Sequence, residues 1–195
     1  MRTASIERKT KETDIKITIN LDGRGDSSIS TGIPFFDHLL DLFSKHSHYD
    51  LDIMAEGDLE VDDHHTVEDV GICLGQAIKE AMGDKAGIQR YASIHLPMDE
   101  ALAKVAIDIS GRPFLVYELN LDRSQVKEFE TELIKEFFRA LVNKAEITLH
   151  IYQEAGETTH HILEAVFKGF AKVISDATRI RPELAGKIPS TKGVL

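Results

Sequence analysis

His64-His65-Thr66-Val67-Glu68 and, 96 positions on, His160-His161-Ile162-Leu163-Glu164 carry the same His-His-x-x-Glu pattern. Imidazole nitrogen and carboxylate oxygen are the donors that suit Mn, Fe, Co, Ni or Zn. Mg and Ca, which take oxygen shells, fit less well. Neighbouring side chains on an α-helix diverge by about 100°, while residues four apart share a face. His64 can therefore share a ligand with Glu68, and His160 with Glu164. His65 and His161 must look elsewhere, to a second centre or a second chain. One such histidine near a helix start is usually just solvated; its recurrence at matching places points to metal. The repeat also offers further donors, because His38 in PFFDHLL aligns with Glu136 in LIKEFFR.

The elements that must hold these residues are duplicated as well. Residues 12–24 lie over 100–112 without a gap, at an 88-residue step, and both segments end in Gly-Arg. Their apolar residues alternate, as Ile15, Ile17, Ile19 and Leu21 and as Val105, Ile107 and Ile109, the period of a half-buried strand. Residues 35–58 match 133–157 at a step of about 98, each reading as a short amphipathic helix followed by an alternating strand. Val67, Val70, Leu74, Ile78 and Ala81, like Leu163, Val166, Phe167, Phe170, Ile174 and Ala177, recur at helical spacing behind the doublets. Asp62 and Asp63 are candidate N-caps for the first of these helices, and Thr158 and Thr159 for the second. Each half reads as strands, short helix, strand, long helix, with the boundary near residues 84–92 around the Gly87 turn. The expectation is an internally duplicated α+β fold. Its halves, 1–88 and 89–195, form one compact unit, and the second ends in an irregular tail, RPELAGKIPSTKGVL.

With 195 residues, 42% hydrophobic and 29% charged, the chain can bury a sizeable core. A net charge of −10, spread along the chain, argues against nucleic acid or anionic membrane as a partner. No apolar run approaches the roughly 20 residues of a membrane span, nor does the start read as a signal peptide, so a cytoplasmic protein is expected. The single cysteine, Cys73, sits in an apolar helical pattern and reads as a buried thiol. An anionic ligand would need a local cationic pocket, for which Arg24, Arg90, Arg112, Lys168, Ser190, Thr191 and Lys192 are available. GKIPSTKG lacks the spacing of a nucleotide-binding phosphate loop and has no strand before it. His46 and His48 follow the His38 helix, where lining the same pocket and a solvated turn are equally open. His95 and His150 read as surface residues. Glu12 and Glu100 are repeat equivalents at strand starts, and spacing promotes neither.

The segments TGIPFFDHLLDLFSKH, DDHHTVED, ISGRPFLVYEL, THHILEAVFKGFAK and IPSTKGVL, in that order, resemble the imidazoleglycerol-phosphate dehydratase family of histidine biosynthesis across essentially the whole chain. The resemblance implies a duplicated half, each with a mostly antiparallel sheet covered on one face by helices (ribosomal protein S5 domain 2-like). It also implies two Mn(2+) ions per active site, held by His38, His64, His65, Glu68, His160, His161 and Glu164. Most members carry histidine at the place of Glu136, so here either a carboxylate replaces imidazole as a ligand or one ion is bound differently. Arg90, Arg112, Lys168, Ser190 and Lys192 correspond to phosphate contacts, with His46 beside them, and Glu12 to the acid/base. A glutamine expected after the His38 motif is Leu42. The implied reaction removes water from a phosphorylated imidazole glycerol held as its imidazolate, in an assembly of 24 subunits with active sites at subunit contacts. A dinuclear phosphoester hydrolase or a non-catalytic metal store would use similar ligands.

Overall fold

A computed structural model describes residues 1–195. Its first half runs β1 (Thr3–Lys9), β2 (Thr13–Asn20), β3 (Ser27–Ser30), α1 (Pro34–Ser47), β4 (Asp50–Gly57) and α2 (His64–Met82). The second runs β5 (Tyr91–Met98), β6 (Ala101–Asp108), β7 (Phe114–Glu118), the small hairpin β8 (Gln125–Val126) and β9 (Phe129–Glu130), α3 (Leu133–Ala145), β10 (Thr148–Ala155) and α4 (Thr159–Thr178). A short 3-10 turn, Pro182–Leu184, interrupts the tail. The α+β class expected from the repeat holds.

The two larger sheets have the same order, β1-β2-β4-β3 and β5-β6-β10-β7. In each, three strands are antiparallel and the last joins in parallel, β3 on β4 and β7 on β10. Register is set by alternation: Ile15, Ile17 and Ile19 of β2 are buried, and so are Ala103, Val105 and Ile107 of β6. Helices cover those inner faces, α2 on β1 and β2, α4 on β5 and β6. The helices of one half also pack on those of the other, α1 on α4 and α2 on α3, so the helical layer lies between the two sheets. A contiguous core of 47 buried apolar residues results. Phenylalanines bridge the halves, with Phe36 edge-on to Phe137 at 5.3 Å and Phe43 stacked on Phe170 at 5.3 Å. Cys73 is buried there, and burial pushes its thiol up to about 11.

The long helices start where the spacing placed them, and of the four candidate caps only Asp62 serves its own helix. Asp63 and Thr158 occupy the N-cap positions without a side-chain cap bond. Asp62 Oδ1 instead accepts from the His64 N–H, and Thr159 Oγ1 from the Arg123 N–H. Asp62 thus serves the first N–H of α2 from ahead of the N-cap, whereas Thr159 serves adjoining backbone rather than its own helix.

Candidate metal centre and substrate site

His160 and Glu164 stand one turn apart on α4, and the packing of α1 against α4 brings His38 over them. Nε2 of His38 and Nε2 of His160 lie 2.8 Å and 3.0 Å from the same oxygen, Glu164 Oε1. The three donor atoms fall within 4.8 Å of one another. Glu164 is buried at the floor, while the histidine side chains are 44% and 42% exposed and open to solvent. Burial pushes the Glu164 carboxyl up, but hydrogen bonds from His38, Lys168 and His160 outweigh it and hold it at about 2. A permanently ionised carboxylate with two imidazoles aimed at one of its oxygens is a donor set that fits a divalent ion of the Mn to Zn series. Three protein donors also leave positions open for another ligand.

Lys168 Nζ donates to the other oxygen, Glu164 Oε2, at 2.6 Å. His46 stands close by: burial lowers its affinity for a proton, and Lys168 and Lys172 lower it further. Both residues thus adjoin the metal group rather than the cavity formed by the other expected phosphate contacts. That cavity, of about 640 Å³, is lined by Arg90, Tyr91, Arg112 and the tail residues Ser190, Thr191 and Lys192. Arg90 is held from three sides. Its Nε donates to Asp108 Oδ1 at 2.8 Å, its NH1 to the Pro189 carbonyl at 2.7 Å, and its guanidinium lies 4.5 Å over the Tyr91 ring. The paired carboxylate raises its pKa, and a planar fork so fixed is suited to a phosphate monoester.

The first half builds only part of the equivalent metal set. His64 Nε2 lies 3.7 Å from Glu68 Oε2, and His64 and Glu136 line one cleft. Glu136 is paired with Arg139 at 2.6 Å, however, and no three-donor group forms around it in the single chain. The adjacent histidines diverge as the helical spacing requires. The rings of His64 and His65 stand 80° apart and those of His160 and His161 89° apart. His65 Nδ1 lies 3.1 Å from Asp58 Oδ2, and His161 Nδ1 lies 2.8 Å from Glu100 Oε2. Glu12 is exposed at the β1–β2 turn and makes no side-chain hydrogen bond; only its backbone is used, its carbonyl by the Asp58 N–H and its own N–H on the Thr10 hydroxyl. Of the set-aside histidines, His95 is exposed, whereas His150 is half buried against the Tyr152 hydroxyl at 3.2 Å. The partners Asp58, Glu100 and Asp108 escaped the sequence reading. Only Glu100 had left a trace, as the repeat equivalent of Glu12.

The family model for imidazoleglycerol-phosphate dehydratase matches residues 31–174. The enzyme of that name from Rhodopseudomonas palustris (strain BisB5) is 57% identical over 195 residues, 100% of this chain and 99% of its own. The chain belongs to the imidazoleglycerol-phosphate dehydratase family. Its members are metal-dependent hydro-lyases of histidine biosynthesis, and this protein is an enzyme of that kind. The Nitrobacter hamburgensis relative is 56% identical over 100% of this chain and 99% of its own. Among solved structures, imidazoleglycerol-phosphate dehydratase from Staphylococcus aureus superposes with a TM-score of 0.84 at 41% identity, covering 92% of this chain and 99% of that one. The Pyrococcus furiosus enzyme, solved in complex with (S)-C348, gives 0.84 at 37% identity over 97% and 100%. No helix of this dehydratase is long and apolar enough to cross a membrane.

Proposed function

We propose that the chain converts D-erythro-imidazole glycerol phosphate to imidazole acetol phosphate and water, in the cytoplasm, with two Mn(2+) ions per active site. The observation that carries this reading is the His38–His160–Glu164 group, three nitrogen and oxygen donors within 4.8 Å at the start of α4, in a chain that also builds a cationic cavity at the other end of that helix. His64, Glu68 and Glu136 would hold the other ion. When bound, such ions would supply positive charge that stabilises the substrate's ring as an imidazolate.

The chain's own residues do the rest. Arg90, Arg112, Ser190 and Lys192 anchor the phosphate and thereby fix the far end of the glycerol chain, with Lys168 and His46 reaching it from the metal group of an adjoining subunit. Glu12, whose carboxylate has no side-chain partner, removes the proton from C2 as the C3 hydroxyl departs, taking up a proton to leave as water. The resulting enol becomes the ketone when a proton is returned to C3. His65 and His161, turned away from their own clusters, complete clusters of neighbouring subunits, which supports a homo-oligomer of 24. The repeat halves 1–88 and 89–195 then contribute unequally, the second carrying the tail that closes the phosphate cavity.

The test is turnover of that substrate by metal-free protein after Mn is added back. The expected result is ketone formation without phosphate release, together with a large assembly on sizing that chelation reduces to a smaller species. Release of inorganic phosphate would instead make the protein a hydrolase. No turnover by verified Mn-loaded protein would sink the proposal.

A further inference from the structure

Glu12 and Glu100 occupy the same place in the two halves. Thr10 pairs with Thr13 and Met98 with Ala101, so each glutamate is the second residue of a two-residue turn closing the first hairpin of its sheet. The turns nevertheless differ. Asp99 sits in the left-handed region at φ +49, a conformation that Asp tolerates, whereas Lys11 does not adopt it. In the second half this turn delivers the Glu100 carboxylate to the start of α4. There Oε1 accepts the Thr158 N–H at 2.9 Å and Oε2 meets His161 Nδ1 at 2.8 Å. In the first half the corresponding histidine, His65, is met instead by Asp58, at 3.1 Å and 3.2 Å from its two oxygens. Asp58 lies just beyond β4, and its backbone N–H bonds to the Glu12 carbonyl at 3.1 Å. Two halves that share an ancestry of sequence thus reach one arrangement, a carboxylate on Nδ1 of the outward histidine, from unrelated positions.

An ionised carboxylate only accepts, so its imidazole partner must carry the proton on Nδ1 and leave Nε2 as the lone-pair nitrogen. Nε2 of His161 is 3.9 Å from Asp99 Oδ2, beyond hydrogen-bond reach, and Nε2 of His65 has no partner. We propose that Glu100 and Asp58 are positioning residues that fix His161 and His65 in the Nε2-donating tautomer and aim them outward. Recruitment of Asp58 to His65 is what leaves Glu12 uncommitted. This inference rests on the metal-binding reading of the doublets. A carboxylate behind a ligating imidazole fixes its ring and raises its basicity, and losing it costs about 10–100-fold in metal affinity.

Wild type, Glu100→Gln and Asp58→Asn are each loaded with Mn and titrated with EDTA, with bound metal counted per chain. Glutamine has one acceptor oxygen for two donors, so Glu100→Gln cannot serve both Thr158 and His161. In each variant one of the two ions should leave at a chelator concentration about 10–100-fold lower than in wild type while the other is retained as before. Nitrogen-15 spectra of His161 in Glu100→Gln should show mixed tautomers in place of one. The melting temperature of the metal-free variants should match wild type, which separates positioning from support of the fold. Should one variant fail to fold, the other still decides, since each doublet has its own carboxylate. Wild-type retention of both ions by a folded variant overturns the inference. Wild type that binds no divalent ion overturns the reading beneath it instead.

Discussion

The two halves have the same strand order and the same helices, yet their cationic residues have parted ways. Thr3 pairs with Asn20 and Tyr91 with Asp108, each 88 positions on, so Arg2 and Arg90 are equivalents, as are Arg24 and Arg112. Arg2 forks onto Asp22 and donates to the Thr178 carbonyl, closing the chain around the end of α4. Arg90 forks onto Asp108 and the Pro189 carbonyl, facing a cavity. The difference lies in the chain beyond each long helix. After α2 it turns directly into β5, whereas after α4 it runs on as the tail that brings Ser190 and Lys192 to the arginines. A duplicated fold thus supplies one such cationic cavity, because the wall that completes it has no counterpart in the first half.

The glutamates sharpen the contrast and give the largest expected effect. Glu12→Gln removes the one uncommitted carboxylate of the pair and should lower kcat by about 10²–10⁴-fold with metal content unchanged. Glu100→Gln should act through retained metal and recover most of its kcat at saturating Mn. Equal losses in kcat from both variants, measured with saturating Mn, would erase the distinction between the halves.

The arginine pairs come next. Asp108→Asn keeps the shape but removes the charge that holds Arg90 to the cavity. Charge-assisted hydrogen bonds of this kind contribute about 1.5–3 kcal/mol, so kcat/KM should fall by about 10–100-fold, chiefly through KM. Asp22→Asn removes the equivalent partner of Arg2 and should leave KM unchanged while lowering the melting temperature. A KM effect of similar size in Asp22→Asn would mean that both halves contribute to the phosphate site.

Much of this symmetry could be read from the residues alone. Alternation marked β2 and β6 because one face of each is wholly buried, and three- and four-residue spacing marked α2 and α4 for the same reason. The strands β1 and β5 were not marked individually, since as edge strands they bury little: only Ile6 of β1 is fully enclosed, and no residue of β5 is. The divergence of His64 from His65 followed from helical geometry. That His38 would meet His160 and Glu164 did not, because it depends on α1 of one half packing on α4 of the other, a pairing no local pattern encodes. Glu136 was legible as a donor, but its engagement by Arg139 one turn on was overlooked.

The helical layer is unequal too. Gly71 and Gly75 let α2 approach the α3 backbone: a Cβ at Gly75 would stand 2.4 Å from the Leu141 carbonyl oxygen and one at Gly71 2.7 Å from that of Phe137. The equivalent of Gly75 in α4 is Ala171, which already carries a buried methyl. Gly75→Ala must push backbone apart, at about 1–3 kcal/mol, against about 1 kcal/mol gained in helix propensity. A lowered melting temperature is expected from Gly75→Ala, and Ala171→Gly should also cost about 1 kcal/mol or more, through helix propensity and the loss of its buried methyl. A Gly75→Ala protein more stable than wild type would mean that α2 and α3 can separate freely.

The smallest effect concerns how each Gly-Arg turn is tied down. In the second half Thr148, a neutral residue, donates to the Arg112 carbonyl at 3.2 Å. In the first, its equivalent Asp50 accepts from the Arg24 N–H at 2.7 Å and the Asp26 N–H at 3.2 Å on Oδ1, and from the Asn20 amide at 3.1 Å on Oδ2. The Arg24 N–H leads in lowering its pKa; some burial opposes this, and the Asp26 and Asn20 donors add to the lowering. A carboxyl whose folded pKa is depressed contributes stability that is present above its unfolded pKa, near 3.8, and is lost as pH falls through the lower folded value. Asp50→Asn should therefore be destabilised at pH 7, on the order of 1 kcal/mol. Its deficit should shrink as pH falls from about 3.8 through the lower folded value, below which both proteins carry a neutral group at this position. Thr148→Val, which loses a bond without a titrating partner, should show a deficit that this pH change leaves unaltered. Denaturant unfolding of the three metal-free proteins at pH 7 and at pH 3 measures both, and a constant gap for Asp50→Asn would show that its charge plays no part in holding the turn.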